Sequence, residues 1–304
     1  MLDIIIRAGC FIAIIALGFT LRRFGVFQAS DFRVLSTIVI KITLPCAIIT
    51  SFAGRQIDPA MLSIALLGFG GGLIYVILGF LLNKTKEEKA FEMLNLSGYN
   101  IGNFTLPFVQ SFLGSVGVIT TSLFDTGNAF ICLGGAFGAA SAVKAGNGFD
   151  FGRIAKALAK SVPFLCYILV ISLNLCSISL PGPIIEFAGI VANANAFLAM
   201  LMIGVGFHIT ANRTQIGQIL RLLAVRYGVA AVLGMCFWNF LPFDAEVRRA
   251  LAILVFSPIG SAVPPFTREL GGDVGLSSAV NSISIVISII IIVMLLSVLL
   301  CKCQ

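Results

Sequence analysis

Ten runs of roughly twenty mostly apolar residues follow one another along this chain, at 4–21, 34–52, 60–82, 92–113, 117–141, 157–178, 185–207, 219–240, 248–269 and 276–300. A helix needs about 20 apolar residues to cross the hydrocarbon core of a bilayer. Only two connections, 142–156 and 208–218, look substantial, so no separate soluble domain is expected. The sequence therefore predicts an all-α polytopic membrane protein whose single domain spans 1–304. Composition sharpens the exclusion: 59% of the residues are hydrophobic and 11% are charged, against about 25% charged in soluble proteins. So few charges could not cover a soluble surface. A free globular enzyme, a disordered chain and a nucleic-acid binder are excluded, despite a formal charge of +7.

The 20 basic residues sit in short clusters between the apolar runs and read as orientation signals. One alternate set of connections holds Arg22, Arg23, Arg33, Lys84, Lys86, Lys89, Lys144, Arg153, Lys156, Lys160, Arg213, Arg221, Arg226 and Arg268. The other set, with both termini, holds Arg7, Arg55, Arg248, Arg249 and Lys302. This bias puts the first set in the cytoplasm and both termini outside, in a cell (inner) membrane. Residues 4–21 read as a retained first span, because Arg7 lies inside the apolar stretch rather than before it. Six of the eight cysteines lie inside apolar runs and read as small hydrophobes. Cys301 and Cys303 have no neighbouring ligands, so no metal or other cofactor is implied.

The chain repeats itself at an offset of 158 residues. Laying 88–117 on 246–275 without a gap matches nine of thirty positions, including Leu96 with Leu254, Ile101-Gly102 with Ile259-Gly260, and Pro107-Phe108 with Pro265-Phe266. The offset carries span four onto span nine, five spans later. An odd number of spans per copy makes the copies insert with opposite polarity, which is the plan of many secondary transporters. The expected division is repeat one over 1–141, a cytoplasmic linker over 142–156, and repeat two over 157–304.

Both copies carry helix-breaking residues at corresponding places: Asn100, Gly102, Asn103 and Pro107 in span four; Pro258, Gly260, Ser261 and Pro265 in span nine. Glycine frees the backbone and proline removes a donor, so each span is expected to break near its middle. Freed peptide groups cannot face lipid and must line a protein-buried or watery cavity. Half-helices that start there point their positive ends inward, which suits an anion such as a carboxylate. Ionisable and polar groups inside spans add candidates for coupling: Lys41 in span two, Asp125 with Asn128 one turn later in span five, and Asn281 in span ten. The single histidine, His208, is a weaker candidate for a proton relay. Glycines at 68–72, 134–135, 204 and 206 read as close-packing sites. No phosphate-binding loop or hydrolase motif is present, so neither ATP-driven pumping nor enzymatic activity is expected.

Arg22-Arg23, then Val39-Ile40-Lys41-Ile42-Thr43-Leu44-Pro45, then the two broken spans resemble the auxin efflux carrier family, which includes plant PIN carriers and bacterial carriers of acids such as malate and malonate. The resemblance covers the whole membrane domain. It implies a scaffold of spans one, two, six and seven supporting a transporter domain of the other six, which moves like an elevator. It also implies a small organic anion bound by Asn100 and the backbone at Gly102 and Asn103. Pro107, with Pro258 or Pro265, would hold the crossing, and a homodimer is plausible on this basis. Lys41 matches a lysine that neighbours an acid of span three in some plant members. This chain has no acid between Met61 and Leu82, so Asp125 takes that place. Alternatives are a sodium-coupled symporter of bile-acid-symporter-like architecture, and a membrane receptor or channel.

Overall fold

The structure is a computed structural model that describes residues 2–28, 30–146, 149–207 and 215–301. His208, Arg213, Lys302 and Cys303 lie outside the described residues. Every regular element described is helical: α1 (Leu2–Arg23), α2 (Asp31–Phe52), α3 (Pro59–Leu81), α4 (Lys86–Leu96), α5 (101–112), α6 (Gly114–Lys144), α7 (Phe151–Lys160), α8 (Val162–Leu175), α9 (Gly182–Gly206), α10 (Ile216–Phe240), α11 (Ala245–Leu254), α12 (Val263–Glu269) and α13 (Val274–Cys301).

Six of these, α2, α3, α6, α9, α10 and α13, are long and apolar enough to cross a membrane; the pair α7–α8, bent by 77°, makes a seventh. The expected spans four and nine are each interrupted at mid-length, as α4–α5 and α11–α12. Span six begins at Val162 rather than at residue 157. Residues 151–160 instead form a separate helix in which Ile154 and Leu158 face the core, while Arg153, Lys156 and Lys160 fall on another side. Pro163 cannot donate to the carbonyl of Ala159 four residues earlier and fits instead in the first turn of a new helix, which the Ser161 hydroxyl caps by accepting from the Phe164 N–H at 3.4 Å. The bend therefore falls at Ser161.

Glycine sets how closely the long helices approach. A Cβ on Gly68 of α3 would overlap the Phe124 carbonyl of α6, and one on Gly127 of α6 would overlap the Ala65 carbonyl of α3. Gly18 of α1 and Gly204 of α9 face each other's helix in the same reciprocal way. Without a hydrophobic drive between helices in lipid, backbone-to-backbone approach of this kind supplies the packing. Three wide π turns interrupt the α-helical pattern, at Val39–Thr43, Ile101–Thr105 and Ile131–Gly135. They lie in α2, α5 and α6.

A methyl group at Gly127 forces α3 and α6 apart, whereas Gly70 of α3 has open space around it. Gly127→Ala should therefore cost about 1–3 kcal/mol and lower the melting temperature in detergent. Gly70→Ala should leave it unchanged.

Candidate functional site

The two interruptions meet. Helix α4 stops at Leu96 and α11 at Leu254, residues 158 apart, so both stop at the same place in the sequence repeat. The Asn100 N–H donates to the Pro258 carbonyl at 2.9 Å. Asn103 Nδ2 donates to Ser261 Oγ at 3.4 Å. Each of these pairs is also separated by 158 residues. Thr105 Oγ1 donates to Ser257 Oγ at 2.6 Å, adding a third link between the breaks.

A broken helix in a dry interior leaves peptide groups that require partners, and side chains from neighbouring helices provide them. Asn128 of α6 acts as a substitute peptide for Tyr99: its Oδ1 accepts the Tyr99 N–H at 3.0 Å and its Nδ2 donates to the Tyr99 carbonyl at 2.9 Å. Its remaining bonds go to Asp125 Oδ1 at 2.8 Å and from the Cys132 thiol at 3.3 Å, which uses the whole capacity of the amide. On the other break, Asn281 Nδ2 donates to the carbonyls of Ile259 and Gly260, at 3.0 and 3.2 Å. Ser284 Oγ accepts the Ile259 N–H at 3.1 Å. Asn128 and Asn281 thus bracket the two breaks.

Arg226 of α10 serves both breaks at once. Its guanidinium is 1% exposed and donates to the carbonyls of Leu96, Gly98 and Ser257. The rings of Tyr75 and Tyr99 lie 5.1 and 5.4 Å from it. Helices α4 and α11 both end here, so the cation meets the negative ends of two helix dipoles. Gly98 is needed for this turn: its φ is +74°, and a Cβ would run into the Cys132 sulfur.

Beside the crossing lies a cavity of ≈ 160 Å³. Of the residues expected from sequence, Asn100, Gly102, Asn103, Asp125, Asn128, Gly260 and Ser261 line it. The three π turns converge on the same space, through Ile40, through Ile101 to Asn103, and through Cys132 and Leu133. The Asn100 carboxamide makes no hydrogen bond among the described residues, and Oδ1 of Asn103 is buried without a partner. Of the N–H groups that open α5, that of Ile101 donates to the Tyr99 carbonyl at 2.9 Å, while those of Gly102 and Asn103 lack intrahelical acceptors. Asp125 Oδ2 accepts from the Tyr167 hydroxyl of α8 at 2.9 Å. Both its oxygens are therefore held by neutral donors, and it forms no ion pair among the described residues.

Other expected residues lie elsewhere. Lys41 is exposed and does not line the cavity, although its neighbours Ile40 and Leu44 do. Lys41 and Asp125 are not paired. Pro107 and Pro265 sit in the first turns of α5's α-helical part and of α12, away from the cavity lining. Pro258 contributes its carbonyl rather than its ring.

Arg226 corrects the sequence reading, in which it counted among the loop charges. It lies inside α10 and turns inward. A signal was present: it falls eight residues into an apolar run, directly before Tyr227. The four tyrosines of the chain carry a second overlooked signal. Tyr75 donates to the Arg226 carbonyl, Tyr167 holds Asp125, Tyr227 donates to the Ser284 carbonyl, and Tyr99 is part of the first break. All four lie around the crossing, away from the interfacial belt that tyrosine usually occupies in membranes.

Replacing Asn128 by Leu leaves the Tyr99 N–H buried without a partner, at about 1–3 kcal/mol, while the Tyr99 carbonyl keeps the Ile101 N–H at 2.9 Å. Thermal unfolding in detergent should register that loss. Asn100→Ala, which removes an amide with no protein partner, should unfold at the wild-type temperature.

A search of curated proteins finds no match to the chain. Residues 10–142, which carry part of α1, all of α2 to α5 and most of α6, match the family model described as membrane transport protein. This is the auxin-efflux-carrier-like family of membrane transporters that Arg22-Arg23, the stretch from Val39 to Pro45 and the first break resemble.

Proposed function

We propose that this multi-pass membrane protein is a secondary transporter of small organic anions, chiefly carboxylates. The solute sits where two broken helices cross and is moved by an elevator-type alternation of a transporter domain against a scaffold. In this reading α1 to α13 make ten spans in two inverted halves, in a bacterial inner membrane with both termini outside. The observation that carries it is the meeting of residues 158 apart, Asn100 with Pro258 and Asn103 with Ser261, beside a cavity. A sequence repeat whose copies touch at equivalent positions places its local axis at that contact. Substrate sites of inverted-repeat transporters lie in such a place.

The cavity's chemistry supports an anion. The α5 start and the free Asn100 carboxamide present N–H donors to it, and helix starts favour negative charge. A volume of ≈ 160 Å³ is about that of five water molecules at roughly 30 Å³ each, which suits an acid of a few carbon atoms. Asp125 is the proposed proton-carrying group: it faces the cavity, its oxygens take hydrogen bonds from neutral donors, and Tyr167 joins it to α8 across the interface. Lys41, exposed in this conformation, has no part in holding the solute here.

In proteoliposomes, a panel of mono- and dicarboxylates should evoke a saturable, sodium-independent flux for at least one acid. Asn100→Ala should abolish that flux in a protein that still melts normally; full transport by this variant would sink the crossing-site reading. Asp125→Asn should make the remaining flux independent of an imposed pH gradient. A strict need for sodium would favour a sodium-coupled carrier instead, and unsaturable flux would favour a channel.

A further inference from the structure

Arg226 is a buried cation without an anion among the described residues. Its three acceptors are main-chain carbonyls, its Nε has no partner, and no carboxylate bonds it. Carbonyl dipoles and the tyrosine faces solvate the charge but do not cancel it. The acids and other titratable groups packed around it are all engaged elsewhere or neutral. On α4, Glu92 is paired with Arg221. On α6, Asp125 is held by Asn128 and Tyr167, and the Cys132 thiol bonds Asn128. On α3 and α10, the hydroxyls of Tyr75 and Tyr227 donate to carbonyls; that of Tyr99, in the break, has no hydrogen-bond partner.

This charge stands immediately behind the cavity wall. The carbonyl it holds at Gly98 precedes Tyr99 and Asn100, which line the cavity. The carbonyl it holds at Ser257 precedes Pro258, the acceptor of the Asn100 N–H. One layer of backbone separates guanidinium from solute, with little water to screen it.

We infer that Arg226 is the charge-selecting residue of the crossing: its fixed positive charge makes the cavity take a solute bearing a negative charge and refuse an uncharged one of the same shape. It acts through the main chain and is a positioning and selectivity residue, not a contact. Asp125 is the one carboxylate among the described residues that lines the cavity, so with a proton on Asp125 the fixed cation is answered by the solute's carboxylate. The inference rests on the transporter reading and specifies the substrate class of that same site.

The test uses the full-length chain in proteoliposomes with labelled acetate, malonate and malate, and with acetamide, malonamide and malamide as uncharged counterparts. In the wild type the amides should neither enter nor compete. Arg226→Gln should raise the KM for the transported acid by at least about tenfold, and should let its amide compete. Arg226→Lys, which keeps the charge, should retain the preference for acid over amide even where its maximal rate falls. A brace without an electrostatic role would lower the maximal rate for acid in all variants and leave the preference unchanged. Should the glutamine variant fail to fold, Arg226→His assayed at pH 8 takes its place, since an imidazole of pKa about 6.5 is then uncharged yet still offers an N–H to the carbonyls. Wild-type KM and wild-type preference in the folded neutral variant would overturn the inference alone. A wild type that carries none of the three acids would overturn the transporter reading, and this inference with it.

Discussion

A helix broken inside a membrane must find partners for its freed peptide groups, and the architecture around the crossing is a consequence of that requirement. Three carbonyls, two from the first break and one from the second, converge on the Arg226 guanidinium. A planar group with five donors can hold acceptors in fixed directions, which an ammonium on a flexible stem does less well. The position of α10 against α4 and α11 is tied to this arrangement. So is that of α3, whose Tyr75 bonds the Arg226 backbone and lies against its charge. Asn128 and Asn281 complete the compensation from α6 and α13. Each is a side-chain amide standing in for the peptide neighbour that an unbroken helix would have supplied.

These compensations divide the polar residues of the membrane interior into two kinds. Asn128, Asn281 and Ser284 are committed to the protein's own backbone, and Thr105 to the Ser257 hydroxyl. The Asn100 carboxamide and the N–H groups of Gly102 and Asn103 at the start of α5 are left for something else. The distinction cannot be made from residue type, since asparagine appears on both sides of it. It depends on which hydrogen-bonding positions are already filled.

The same distinction explains what the sequence made legible. The breaks were readable because glycine and proline act on the backbone locally, and the 158-residue offset placed them in register. Helices α4 and α11 duly end at Leu96 and Leu254. The cavity-facing set around Asn100, Asn103, Gly260 and Ser261 followed from those breaks. The direction of Lys41 did not, because it lies within a π turn. One residue inserted into a helical turn rotates the downstream side chains by about 100° relative to an α-helical projection. Arg226 was misread for a different reason: with Arg221 only five residues earlier it counts as part of a flanking basic cluster, and only tertiary contact decides which way it turns. The start of span six was misplaced because 157–160 continues the apolar run while belonging to an amphipathic helix that ends at the Ser161 bend.

The contact between Asn100 and Pro258 joins two positions that the repeat makes equivalent, yet it runs one way only. Asn100 has an N–H to give; proline has none to return. The Asn100 carbonyl instead accepts from the Thr105 N–H, within its own π turn. The second copy has no such closure, and its backbone is held by Asn281 and Ser284. The two lips of the crossing are therefore unequal in donors, acceptors and stiffness, even though they descend from one pattern. A solute resting between them meets a self-closed, donor-rich edge on one side and a braced, proline-stiffened edge on the other. If the crossing is the proposed transport site, approach from the two faces of the membrane is chemically different, and the lopsidedness comes from a single missing hydrogen.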